Sequence, residues 1–153
     1  MTKDWVYVGG TFDMFHYGHM NFLRECQKYG PVIVSLNTDD FASRYKRAPI
    51  MTLGERIEAL AGCKYVEDVC VNIGDENSGL TIDRITDRQI AYIAHGDDWF
   101  GQDLLHQLGI DDDWLTNRAI KMLYVPYTKG ISTSDIIGRI NGDSDGDCDC
   151  SCG

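Results

Sequence analysis

The chain reads as an α/β domain: a doubly wound, five-stranded parallel sheet covered by helices on both faces. Three observations carry that expectation. Short apolar runs recur at residues 5–8, 32–36, 69–71, 90–94 and 122–125, and continuous rather than alternating runs are what strands buried on both faces show. Helix-like segments separate the runs, an alternation that builds parallel sheets. Polar clusters at residues 9–13, 37–40, 95–99 and 126–134 each follow the carboxyl end of a run, the edge at which open α/β sheets bind ligands.

The elements follow in order. After the first run, Gly9-Gly10-Thr11-Phe12-Asp13-Met14-Phe15-His16-Tyr17-Gly18-His19 leads into an amphipathic stretch marked by Phe22, Cys26 and Tyr29, so a helix is predicted to begin near Gly18. Beyond the second run, Leu53, Ile57, Leu60 and Ala61 keep i, i+4, i+7, i+8 spacing behind Thr52-Leu53-Gly54-Glu55, a capping box that starts a helix. Leu104, Leu105 and Leu108 mark another helix, and Ile136, Ile137 and Ile140 a last one. No internal repeat or linker precedes residue 141. The expectation is one domain over residues 1–140 and a disordered acidic tail over 141–153.

Composition narrows the classes of function. The 153 residues carry a formal charge of −10, and residues 1–142 remain negative when the tail aspartates are set aside, which argues against a nucleic-acid partner. No run approaches the ~18 apolar residues of a membrane span, and Met1-Thr2-Lys3-Asp4 leads into a strand rather than a secretory signal, so a cytoplasmic protein without membrane association is expected. Cys26, Cys63 and Cys70 lie in apolar contexts and are expected as reduced core residues. Cys148, Cys150 and Cys152 lack the spacing of a zinc knuckle, and Asp143-x-Asp145-x-Asp147 lacks the glycine and terminal glutamate of a calcium loop. Arg44, Lys46 and Arg47 put three positive charges within four residues; they would focus field on an anion if they face a cleft, and otherwise form a solvated turn.

The first polar cluster has the make-up of a phosphate cradle. Two glycines let backbone N–H groups approach an anion, the following helix presents its positive end, and His16 and His19 stand three residues apart at that helix start. It is neither a Walker A loop nor a G-x-G-x-x-G turn. Gly130-Ile131-Ser132-Thr133-Ser134 puts three hydroxyls at a second helix start, which can serve as an N-cap or hold phosphate oxygens. H-x-x-H can also ligate zinc, but that needs a third ligand and none lies nearby in sequence. By themselves Asp97 and Asp98 read as a solvated turn, Trp99 as packing and Arg56 as a helix-surface charge. Asp13 reads as a turn residue that fixes the loop through backbone hydrogen bonds.

His16-Tyr17-Gly18-His19 resembles the H-x-G-H signature of the nucleotidyltransferase superfamily, and Thr128-Lys129-Gly130-Ile131-Ser132-Thr133-Ser134 resembles its second, Ile-Ser-Thr signature. Residues 132–137 look especially like the choline-phosphate cytidylyltransferase branch. His95-Gly96-Asp97-Asp98-Trp99 looks like the Gly-Asp-Asp-Trp segment of glycerol-3-phosphate cytidylyltransferases, and its His-Gly-Asp-Asp form is similar to ethanolamine-phosphate enzymes. Lys46 followed by Glu55-Arg56 aligns without gaps with the branch in which a loop lysine contacts phosphate. Three blocks in the right order cover about residues 5–140.

The resemblance implies a Rossmann-like sheet in the order 3-2-1-4-5, a homodimer, and transfer of CMP from CTP, with Mg²⁺ on the triphosphate, to a phosphorylated alcohol. Glycerol 3-phosphate is the first acceptor; 2-aminoethylphosphonate, phosphoethanolamine and phosphocholine are alternatives. A phosphate acceptor is already largely a dianion at neutral pH and needs no general base, so charge neutralisation and alignment are the chemistry required. The family's roles fall as follows: His16, His19 and Lys46 are catalytic; Gly10, Thr11, Phe12, His16, His19, Asp98, Gly130, Ile131, Ser132, Thr133 and Ser134 bind nucleotide; Asp13, Arg44, Lys46, Arg56, Trp99 and Tyr127 face the acceptor. No metal held by protein side chains is expected. One departure stands out, because Tyr127 occupies a position where most of the group has arginine, as a subgroup with phosphonate cytidylyltransferases does. An adenylyltransferase of FAD-synthase type and a nucleotide-binding module without catalysis are the rival readings.

Overall fold

The computed structural model describes residues 4–45, 47–73, 78–96 and 102–142. Within them the chain runs β1 Asp4–Gly10, α1 Tyr17–Gln27, β2 Val32–Leu36, α2 Asp39–Tyr45, α3 Leu53–Ala61, β3 Asp68–Val71, α4 Ser78–Arg84, β4 Gln89–Gly96, α5 Gln102–Leu108, α6 Asp112–Arg118, β5 Lys121–Val125 and α7 Thr133–Ile140. All four strand pairings are parallel, and the sheet order is β3-β2-β1-β4-β5. The predicted fold class and strand order are those of the molecule.

Strand chemistry explains the order of burial. All five residues of β2 are buried, as expected of a β-branched run with helices on both faces. β1 divides its side chains between two cores by the period of two. Val6 and Val8 pack with Leu23 and Cys26 of α1, Leu60 of α3 and Val125 of β5. Tyr7 packs on the other face with Ile82 of α4, Ile93 of β4, Leu105 of α5 and Leu115 of α6. Each such fully buried aliphatic side chain contributes about 1.5–3 kcal/mol. Cys26 is buried without a disulfide, as are the half-buried Cys63 and Cys70 free, and burial pushes the Cys26 thiol up to about 12.

Caps set the helix starts that matter for the site. Thr52 accepts from the backbone N–H of Glu55 while the Glu55 carboxylate accepts from that of Thr52, which is the predicted capping box. Ser132 caps α7 by accepting from Asp135 N–H. The sheet brings the carboxyl ends of β1, β2, β4 and β5 to one edge, with Gly10 beside Leu36 and Gly96 beside Val125. No described helix is long and apolar enough to cross a membrane. Tail residues 143–153 lie outside the described residues.

Candidate active site

A cavity of about 290 Å³ opens at that sheet edge, over the loop from Gly9 to Asp13 and between the N-termini of α1 and α7. Its first wall is the loop after β1. Phe12 and Met14 take left-handed backbone, with φ of 53° and 51°, a conformation that costs energy in non-glycine residues and persists only where surroundings hold it. Asp13, between them, is 5% exposed and its carboxylate accepts from the backbone N–H groups of Ile50 and Met51 at 2.7 and 2.9 Å. That arrangement ties the loop to the segment ahead of α3.

The two histidines cap their own helix reciprocally. His16 is the N-cap of α1, and its Nδ1 accepts from Gly18 N–H at 3.1 Å. His19 Nδ1 accepts from His16 N–H at 3.3 Å. Glycine at 18 suits this packing, since a Cβ there would stand only 3.0 Å from the His16 ring and from Ile131 Cγ2 and would push them apart. With Nδ1 accepting in both rings, the neutral imidazoles carry their protons on Nε2. The rings stack 3.8 Å apart at 20°. Burial, and then the neighbouring His16, push the His19 pKa down from 6.5 to about 3, and burial lowers that of His16. Both therefore work as neutral hydrogen-bond donors.

The second helix start meets the first through this pair. His16 Nε2 lies 3.2 Å from Thr133 Oγ1, and Thr133 Oγ1 donates to the Asp13 carbonyl at 3.1 Å. Given the tautomer above, His16 donates to Thr133, which donates to Asp13. Ser132 and Ile131 line the cavity, Thr133 is buried behind them, and Ser134 and Gly130, the latter at φ 88°, are exposed. The first N–H groups of α7 lack intrahelical acceptors and are suited to an anion.

Other sequence-predicted residues are placed differently. Gly10, Thr11, Phe12, Asp13 and Tyr127 line the cavity, and Arg44 and Arg56 do not. Arg44 lies half exposed, with Nε 3.6 Å from Asp40 across one helical turn. Arg56 is fully buried: Nε donates to Met51 O, Nη1 to Thr11 O and Asn37 O, and Nη2 to Asp39 Oδ1 at 2.6 Å. It braces the loops from behind rather than facing an acceptor or the solvent, because three carbonyls converge where its fork ends. Lys46, Asp98 and Trp99 lie outside the described residues. Tyr127 stacks on Phe22, with centroids 6.5 Å apart, and its ring lies across Gly96 so closely that a Cβ there would overlap it.

Sequence reasoning placed Asn37 only within a polar cluster at the sheet edge and did not single out Asn72 or Ser78. Asn37, Asn72 and Ser78 line one side, linked by Asn37 Nδ2 to Thr11 Oγ1 at 3.2 Å and Asn72 Nδ2 to Asn37 Oδ1 at 3.1 Å. Behind them Thr81 and the buried Tyr7 phenol both donate to Asn72 Oδ1. Asn37 and Asn72 each directly follow a strand, and Ser78 opens α4. Among the described residues no three His, Cys, Asp or Glu side chains are grouped to hold a metal ion.

Comparison with known proteins places the chain among cytidylyltransferase-like sequences. The chain is 35% identical over 144 residues to a probable choline-phosphate cytidylyltransferase of Schizosaccharomyces pombe, covering 92% of this chain and 38% of that protein. It is 34% identical over 140 residues to the ethanolamine-phosphate cytidylyltransferase of Arabidopsis thaliana, covering 88% and 32%. The chain thus spans less than half the length of these relatives. A crystal structure of the lipopolysaccharide core biosynthesis protein from Thermoplasma volcanium superposes with a TM-score of 0.67 at 20% identity, covering 82% of this chain and 98% of that one, which shows the shared fold. The sequence model of the cytidylyltransferase-like family matches residues 7–139, and the chain, with its paired histidines at the joined starts of α1 and α7, belongs to that family.

Proposed function

We propose that the protein transfers CMP from CTP to the phosphate of a small amino alcohol, phosphoethanolamine or phosphocholine, and releases pyrophosphate. The observation that carries this reading is the junction of His16 with Thr133, which brings two helix N-termini and two neutral imidazole donors to one cavity. The relatives named above supply the acceptor class, in preference to the glycerol 3-phosphate that the Gly-Asp-Asp-Trp resemblance put first.

In this reading an acceptor oxygen forms a bond to the α-phosphorus while the bond to the bridging oxygen breaks in line, and pyrophosphate leaves with that electron pair. His16 and His19 donate from Nε2 to the α-phosphate and the bridging oxygen, hydrogen bonds that strengthen as negative charge develops. The N–H groups opening α7, with Ser132, hold the β- and γ-phosphates. His16 exchanges Thr133 for phosphate oxygen when substrate binds. Mg²⁺ enters with the triphosphate as its counter-ion. Lys46 bridges the α-phosphate and the acceptor, and Asp98 and Trp99 keep the roles that the resemblance implies. A homodimer, also implied by the resemblance, is part of the proposal and light scattering tests it.

The acceptor is tested by pyrophosphate release from CTP and Mg²⁺ with phosphoethanolamine, phosphocholine, glycerol 3-phosphate and 2-aminoethylphosphonate in parallel. The expected outcome is kcat/KM at least about tenfold higher for one of the two amino-alcohol phosphates than for glycerol 3-phosphate. A preference for glycerol 3-phosphate or the phosphonate would replace the acceptor and leave the reaction.

A further inference from the structure

We infer that Arg47 is a phosphate-binding residue of this cavity, its guanidinium holding an oxyanion of one of the two substrates. This rests on the reading of the cavity as a phosphate-transfer site. Among the described residues Arg47 is the only lysine or arginine that lines the cavity. Its Nε is buried and has no hydrogen-bond partner among the described residues, whereas Arg56 spends its fork on Met51, Thr11, Asn37 and Asp39 and Arg44 pairs with Asp40. A buried N–H without a partner is costly, and a guanidinium that lines the cavity can meet an oxyanion there with a charge-assisted bond.

The surroundings call for such a cation. His16 and His19 are held neutral by burial, so they supply hydrogen bonds and no charge. Asp13, the one carboxylate on the lining among the described residues, is turned to Ile50 and Met51 N–H. Those two residues follow Arg47 closely in the chain, so the clamp that fixes the phosphate loop also fixes the segment carrying Arg47. Tyr127 leaves no arginine on the opposite strand end, and its ring is committed to Gly96 and Phe22.

The test is calorimetric titration of the wild-type protein, R47A and R47K with CTP, phosphoethanolamine and inorganic pyrophosphate, beside thermal melts of all three. R47A is expected to weaken at least one probe by about tenfold or more, with R47K between, because an ammonium keeps the charge and loses the fork. A loss confined to phosphoethanolamine assigns Arg47 to the acceptor phosphate; a loss for CTP and pyrophosphate assigns it to the triphosphate. Equal binding of every probe by folded R47A or by R47K overturns the inference, as does a wild-type protein that binds none of them. If the wild-type protein binds pyrophosphate through Arg47 but turns over no CTP, cytidylyl transfer fails and Arg47 stands.

Discussion

In the proposed reaction His16 and His19 each do two jobs with one ring. Nδ1 closes the helix start, and that leaves Nε2–H as the group that can meet a phosphate. Burial that keeps the rings neutral has a cost in acid. The unfolded chain protonates His19 below about pH 6.5 and the folded one only near 3, so the unfolded state binds more protons between those values. His19's contribution to stability is complete above about 6.5 and drains as pH falls towards 3. Urea denaturation of wild type should show a loss about 2 kcal/mol larger than that of His19→Gln on going from about pH 7.5 to about pH 5. Parallel losses in the two proteins would mean that His19 is not held neutral.

At the scale of elements, the cavity depends on α3 as much as on the strands that open onto it. Arg56 projects from α3 and ties together Thr11 after β1, Asn37 after β2 and Asp39 at the start of α2. Arg56→Ala leaves three carbonyls without a donor and should cost about 3 kcal/mol or more, read as a lowered urea midpoint with an unchanged m-value. Arg56→Lys should recover only part of it, since one ammonium cannot span the set; a change under about 0.5 kcal/mol for both would refute the brace. This role was not legible in the sequence, where an arginine on an amphipathic helix reads as surface or ligand contact and the carbonyls it meets come from three separated segments. The five strands were legible because their apolar runs are continuous. Helices α2, α4 and α6 went unpredicted: each has seven residues, and none carries a leucine stripe like the one that marked the equally short α5. The meeting of His16 with Thr133 followed from two motifs on one sheet edge, while Asn72 carries no pattern beyond its place after a strand and Ser78 none beyond opening α4.

For the whole molecule, a chain of charge −10 that binds the proposed polyphosphate would work against its own field. In the proposed reading helix N-termini, neutral donors and Arg47 supply the local exception, so association should weaken less with salt than that of a protein steered by a broad basic surface. Family membership, fold order and the joined helix starts all bear on the same claim, that this cavity moves a nucleotidyl group. Pyrophosphate release from CTP or ATP, each with Mg²⁺ and with or without phosphoethanolamine and phosphocholine, tests it most directly when run beside His16→Ala and His19→Ala. Acceptor-dependent release with CTP, little with ATP, and a loss of at least about a hundredfold in kcat for either histidine variant are expected. Release with ATP alone, no release with any acceptor, or near wild-type rates in a histidine variant would contradict that claim.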